Sequence, residues 1–261
     1  MSSGIGSINL KVLLMDTDFY ALQAMNSYLA WDRRTRVTFL ADSPERMWRY
    51  IRTTPYAELP NVVIMDADHF GEPPVLKQTI IDLREKVKDL LVVCMAQFIN
   101  PALVDAAASG GVKAYMLKQD VQLQIAWAVC YSLEHDFVIT EGIARVCTQS
   151  GNERVQKATE LPKQRDYPEL TDRVRQAVML CVVEGMPAHL AADEMGISLH
   201  TVRSYIKEGY RILEANDESE YPVDMTPQER AFMRLTALAL EDDDEHDEAQ
   251  DIARVGRDDE D

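Results

Sequence analysis

The sequence predicts an α/β domain with a doubly wound parallel sheet, followed by an all-helical domain. Two observations predict the first part. Apolar runs of strand length alternate with helical patterns over the first 140 residues. Those runs are apolar at nearly every position, as strands buried on both faces must be. A third observation predicts the second part: from residue 169 to 215 the pattern is helical throughout.

The elements follow in order. Residues 11–15 (KVLLM) read as a strand, and 20–29 carry apolar residues at helical spacing. Residues 37–40 are the next strand, after which Ser43 and Pro44 open a helix through Met47, Trp48 and Ile51. Residues 62–65 form a continuous apolar strand, and a helix over 75–87 places apolar residues at 76, 80, 83 and 87. Residues 90–95 are a strand, and a helix over 101–109 stops at Gly110 and Gly111. A short strand at 114–117 and a helix at 121–133 complete five β-α units, which sets the first domain at 1–140. A linker with one short helix, at 142–148, is expected over 141–168, because 149–167 is polar and contains Gly151 and Pro162. A helical domain at 169–216, an extension at 217–240 and an acidic, disordered tail at 241–261 complete the chain.

The net charge of -17 is unevenly spread. Residues 216–261 hold 17 acids and 4 bases, whereas 169–215 hold 7 and 5. A low overall pI therefore does not exclude contact between the helical domain and a polyanion, since attraction to phosphate is local. No apolar run reaches the ~18 residues of a membrane helix. The start of the chain lacks the basic-then-apolar order of a secretory signal. Cys94, Cys130, Cys147 and Cys181 show neither a C-x-x-C pair nor zinc spacing. Reduced thiols in a cytoplasmic protein are expected.

In the parallel sheet, Asp16 follows the first strand, Asp66 ends the third and Lys118 ends the fifth. All three meet at the carboxyl edge, where such folds bind ligands. Here the chain resembles the flavodoxin-like receiver domain of bacterial response regulators, over residues 10–148. The resemblance rests on Val12-Leu13-Leu14-Met15-Asp16, Val62-Val63-Ile64-Met65-Asp66, Ala114-Tyr115-Met116-Leu117-Lys118 and the helix opened by Asn100-Pro101. The passage Asp136-Phe137-Val138-Ile139-Thr140 is similar to the receiver-to-linker segment of the NarL/FixJ subfamily. The resemblance implies that Asp66 accepts phosphate, that Asp16 helps hold Mg²⁺ with Asp66 and Asp68, and that Lys118 pairs with the phosphoryl group.

Two departures count against that chemistry. The second acid after the first strand is replaced by Thr17, with Asp18 the nearest substitute, and Mg²⁺ wants several hard oxygen ligands. Met95 stands where the family has a hydroxyl that bonds the phosphoryl oxygens, and a thioether donates no proton. Tyr115, at the family's switch-aromatic place, is retained. An atypical, degenerate receiver, regulated independently of phosphorylation, is therefore expected, with no cofactor unless Mg²⁺ serves a surviving phosphorylation. A phosphorylation-dependent regulator fed by a sensor kinase is the alternative.

The helical domain carries the most specific pattern. A helix over 172–184 is capped by Gly185, a second begins after Pro187, and Gly196 gives the tight turn. Ala192 lets two helices approach closely. Ser198 is a good N-cap for a third helix reaching 213. The string 190–206 has the helix-turn-helix form. Val202, Ile206, Gly209 and Leu213 should face inward. Leu199, His200, Thr201, Arg203, Ser204 and Lys207 are the candidate DNA-binding residues, because Arg and Lys reach phosphates or guanine edges and Ser and His bond bases or backbone. A plain solvated helix face is the rival. The segment resembles the LuxR-type output domain, and also the fourth region of alternative sigma factors, through Thr201-Val202-Arg203-Ser204 and Glu208-Gly209-Tyr210. The spacing from Leu170-Thr171 to Gly185 is one residue long for the LuxR pattern.

Thr226-Pro227-Gln228-Glu229 starts a further helix, whose apolar stripe should pack on its own domain. The acidic run at 241–248 is a solubilising tail, or a competitor with DNA for Arg203 and Lys207. With no glycine-rich phosphate loop and no nucleophile–base pair, an enzyme is not expected. The chain reads as a dimeric, sequence-specific regulator of double-stranded DNA. A protein-interaction module contacting RNA polymerase or a sigma-like partner is the rival from another class.

Overall fold

The structure is a computed structural model that describes residues 8–217, 219 and 221–240. The tail at 241–261, expected to be disordered, and residues 1–7 lie outside the described residues. The chain divides into two compact units: Met1–Leu161 with Glu220–Asp224, and Pro162–Ser219 with Met225–Asp261.

The first unit alternates strands and helices: β1 (Leu10–Met15), α1 (Phe19–Trp31), β2 (Thr35–Ala41), α2 (Pro44–Thr53), β3 (Val62–Asp66), α3 (Pro73–Lys86), β4 (Leu91–Ala96), α4 (Pro101–Gly110) and β5 (Ala114–Leu117). It continues with α5 (Lys118–Val121), α6 (Ile125–Glu134), β6 (Val138–Ile139), α7 (Glu141–Val146), α8 (Glu153–Gln156) and β7 (Thr159–Glu160). Every strand pair is parallel, in the order β2-β1-β3-β4-β5-β6-β7. Leu13, Met15, Val63 and Met65 point to one core, together with Met47, Leu76, Ile80 and Leu103. The alternate residues Val12, Leu14, Val62 and Ile64 are equally buried, so both faces are covered. Ser43 caps α2 through Arg46 N, Asn100 caps α4 through Ala102 N, and Gly111 closes α4 at φ +85°.

Three expectations are corrected in this unit. The helix expected over 121–133 is broken, because Gln122 takes φ +44° and a 3₁₀ turn separates α5 from α6. The stretch expected to be a linker, 141–168, belongs to the sheet unit as far as Leu161. Arg154 holds it there: its guanidinium donates to Ala108 O (2.7 Å), Val112 O (3.0 Å) and Asp136 O (2.7 Å), and pairs with Asp136 Oδ2 at 2.8 Å. These bonds tie the last turn of α4 and the loop after it to Asp136, just before β6, and β7 then adds a seventh strand. Residues 221–224, expected to belong to the extension, also pack with this unit, where Asp224 pairs with Arg33 at 2.7 Å.

The second unit holds α9 (Asp172–Val178), α10 (Ala188–Met195), α11 (Leu199–Ala215) and α12 (Pro227–Leu235). The helix expected over 172–184 changes character after Val178. Residues Met179–Val183 form a π turn, with Glu184 N bonded to Met179 O at 3.1 Å. A turn closed from i to i+5 holds one residue more than an α turn. Thr226 and Glu229 form a reciprocal capping box on α12, whose Ala231, Phe232 and Leu235 are buried. Residues 163–165 run beside 237–239, with Arg165 N on Ala237 O and Ala239 N on Lys163 O. Buried Asp217 pairs with Arg234 at 2.8 Å. The C-terminal helix thus packs on its own unit, as expected.

Candidate functional site

Two constellations were expected, one in each unit. At the carboxyl edge of the sheet, Lys118 Nζ lies 2.7 Å from Asp16 Oδ2 and 3.3 Å from Asp66 Oδ1. Asp16 is fully buried and Asp66 7% exposed. Burial pushes the Asp66 carboxyl above the ordinary carboxylate range, and the attraction of Lys118 recovers only part of the shift. Burial alone would pull Lys118 down. The bond to Asp16 and the charge of Asp66 outweigh it, so the ammonium is held above the ordinary lysine range. The three groups form one ionic cluster with two negative charges and one positive.

The other residues expected here take different roles. Asp18 does not turn toward the cluster: its carboxylate accepts from Tyr20 N (2.8 Å) and Ala21 N (3.1 Å) as the N-cap of α1. Thr17 is exposed. Asp68 is tied to the loop after β4: its Oδ2 accepts from Gln97 N (2.5 Å) and Phe98 N (3.3 Å). Met95 is the register partner of Asp66 and is 2% exposed. Tyr115 pairs in register with Cys94 and is fully buried. The metal set expected from Asp16, Asp66 and Asp68 is therefore not brought together. The ammonium of Lys118 stands between the first two carboxylates, and the third is committed to main-chain N–H groups. Among the described residues, no group of three or more His, Cys, Asp or Glu side chains is placed to hold a metal ion. All four cysteines are free.

In the second unit, Ser198 caps α11, accepting from Thr201 N at 3.1 Å, and its Oγ lies 2.8 Å from Thr201 Oγ1. Gly196 at φ +65° makes the turn between α10 and α11, a backbone state that glycine adopts without strain. Ala177, Ala191, Ala192, Met195 and Val202 form the small core beneath. Gly209 lies against α9, and Leu213 is fully buried. His200, Arg203, Ser204 and Lys207 are exposed on one stretch of α11. Two of the expected contact residues are less exposed than the rest. Leu199 is half-buried and packs on the small core, and Thr201 is half-buried with its hydroxyl held by Ser198. A residue passed over in the sequence, Arg211, lies two turns beyond Arg203 and is exposed, paired with Glu208 at 2.7 Å. Its signal was the i+8 spacing from Arg203.

Residues 168–213 match the family model described as "Sigma-70, region 4". No curated protein matches the sequence. Solved structures similar to the chain include two RcsB dimers bound to two parallel DNAs, with 17% identity over 77% of this chain and 89% of that one, TM-score 0.46. Another is the isolated REC domain of RcsB from Salmonella enterica serovar Typhimurium with phosphomimetic BeF3-. It has 17% identity over 53% of this chain and 98% of that one, TM-score 0.45. A third is the RcsB response regulator of Salmonella typhimurium, with 15% identity over 92% and 100%, TM-score 0.46. The sequence resembled two families over its helical domain, and it is the sigma side for which a model matches. Among the described residues, no helix is long and apolar enough to cross a membrane.

Proposed function

We propose that the chain is a DNA-binding transcription regulator, not an enzyme, whose receiver-like unit works independently of phosphorylation. One observation carries the reading. A helix capped at Ser198 and seated on a compact three-helix core exposes His200, Arg203, Ser204 and Lys207 on its first two turns. A recognition helix enters a major groove by its N-terminal residues. The family model matched over 168–213 spans that frame. Arg203 offers a bidentate fork to guanine, and Lys207 a point charge to phosphate. The local charge is modest, with 7 acids and 5 bases over 169–215, so one copy binds weakly. We propose a homodimer that reads two half-sites. In the receiver-like unit, Met95 beside Asp66, and Lys118 between two carboxylates, support regulation without phosphate.

The test is a salt titration of binding to genomic fragments, followed by footprinting. Binding should weaken with salt, and Arg203→Ala should remove the footprint while the protein stays folded. A footprint untouched by Arg203→Ala and Lys207→Ala together overturns the reading and leaves a protein partner as the target of this face. Acetyl phosphate labelling with Mg²⁺ tests the second part: label on Asp66 overturns it.

A further inference from the structure

The N–H groups of Gln97 and Phe98, consecutive in the chain after β4, converge on a single oxygen, Asp68 Oδ2, at 2.5 and 3.3 Å. Consecutive main-chain N–H groups aimed at one point make an anion-binding concavity. Here the chain's own carboxylate fills it. Asp68 opens the 3₁₀ turn Asp68–Phe70 that follows β3, so the bond ties the loop after β3 to the loop after β4. One further main-chain bond, Ala67 N to Met95 O at 2.8 Å, joins the two strand ends just before that point. Beyond it, the loop carries Phe98, which is 71% exposed, before α4 begins at Pro101. On the other side of the cleft, Lys118 supplies the cation between Asp16 and Asp66.

We propose that Asp68 is a built-in latch, a positioning residue whose carboxylate supplies the anion that orders the loop between β4 and α4. The cleft is closed by its own charges. Lys118 bridges the carboxylates of Asp16 and Asp66, and Asp68 occupies the N–H groups of Gln97 and Phe98. This deepens the phosphorylation-independent reading by naming the group that replaces the signal, and it is tested apart from that reading.

The experiment is amide hydrogen exchange on the full chain, without Mg²⁺ or phosphate, comparing wild type with Asp68→Asn and Asp68→Ala. Hydrogen bonds to a charged acceptor are strong enough that losing this one should speed exchange at Gln97 and Phe98 by about tenfold or more. Amides of β1 and β3 should keep their wild-type rates. Asparagine keeps an acceptor of nearly the same shape and loses only the charge, so Asp68→Asn should also exchange faster. Acetate added to Asp68→Ala should slow exchange at the two positions again, a small carboxylate standing in for the missing side chain. Wild-type rates in Asp68→Asn, unchanged rates in Asp68→Ala, or no response to acetate overturn the proposal. If Asp68→Ala also loses protection in β1 and β3, Asp68→Asn decides. Label on Asp66 would sink the phosphorylation-independent reading without touching these rates, and a failure to bind DNA would leave them equally unmoved.

Discussion

Val178 stands directly over Gly209: a Cβ added to the glycine would lie 2.3 Å from Val178 Cγ2 and 3.3 Å from Val174 Cγ1. The helices α9 and α11 approach each other through that gap. Gly209→Ala would raise intrinsic helix propensity, yet the methyl has no space. Overpacking of this kind costs about 1–3 kcal/mol, more than the propensity gain. Urea melts should show Gly209→Ala destabilised, and Gly209→Ala with Val178→Ala should recover part of the loss. A stabilised single variant would mean the helices sit further apart.

The ionic cluster predicts opposite effects for two neighbours. Lys118→Met leaves Asp16 and Asp66 facing each other without a cation. Removing one partner from a buried ionic group costs about 3–5 kcal/mol. Asp66→Asn removes the surplus negative charge. The carboxyl of Asp66 is raised in the folded state, so the folded protein binds a proton more readily than the unfolded chain. Stability is therefore lost as pH rises from the ordinary carboxylate value through the folded one. Asp66→Asn should be the more stable protein at pH 7, and its advantage should vanish as pH falls below the carboxylate range. Melts at pH 4 and pH 7 check this.

Leu199 and Arg203 lie one turn apart on α11 and should separate stability from binding. Leu199→Ala strips a half-buried contact from the small core and should cost about 1–2 kcal/mol, with the salt slope of DNA binding unchanged. Arg203→Ala should leave the melt alone. Lys207→Ala, which removes the phosphate contact of the same reading, should lower the salt slope by about 1.

Arg154 predicts the fate of the stretch that reads as a linker. Its side chain is 28% exposed and makes four donor contacts to Ala108, Val112 and Asp136. Wild-type protein should resist limited proteolysis between α7 and β7. Arg154→Ala should be cut there, because charged hydrogen bonds worth about 1.5–3 kcal/mol each are lost. Mass spectrometry of the fragments locates the cut.

The five long strands were legible because each is an apolar run bounded by turn residues. Their carboxyl ends told where Asp16, Asp66 and Lys118 would meet. β6 and β7 were not legible, since two residues apiece hold no periodicity and Thr159-Glu160 is polar. What holds them in the sheet is the reach of Arg154 across 46 residues to Ala108, a tertiary bond with no local signature. The helix-turn-helix was legible to the cap at Ser198. Leu199 was misplaced because a wheel projection treats the first residue of α11 as it treats the rest, whereas that residue lies beside the turn at Ile197 and folds back on the core. Asp18 was read as a cleft residue standing in for the missing second acid, and Asp68 as a metal ligand on the strength of the resemblance. Their main-chain partners depend on loop geometry, which no spacing rule carries.

The π turn at Met179–Val183 has a consequence for how this helix tolerates change in length. Rotating the chain by one extra residue inside a single turn leaves the upstream and downstream halves each in register with their own neighbours. A deletion of one residue within that turn should convert it to ordinary α geometry and shift nothing beyond Glu184. The same deletion a turn earlier, at Val174 to Val178, would swing every later side chain by about 100° and unseat α11. A one-residue change in the length of this helix is therefore best tolerated within those five residues, where the exposed face of α11 keeps its place.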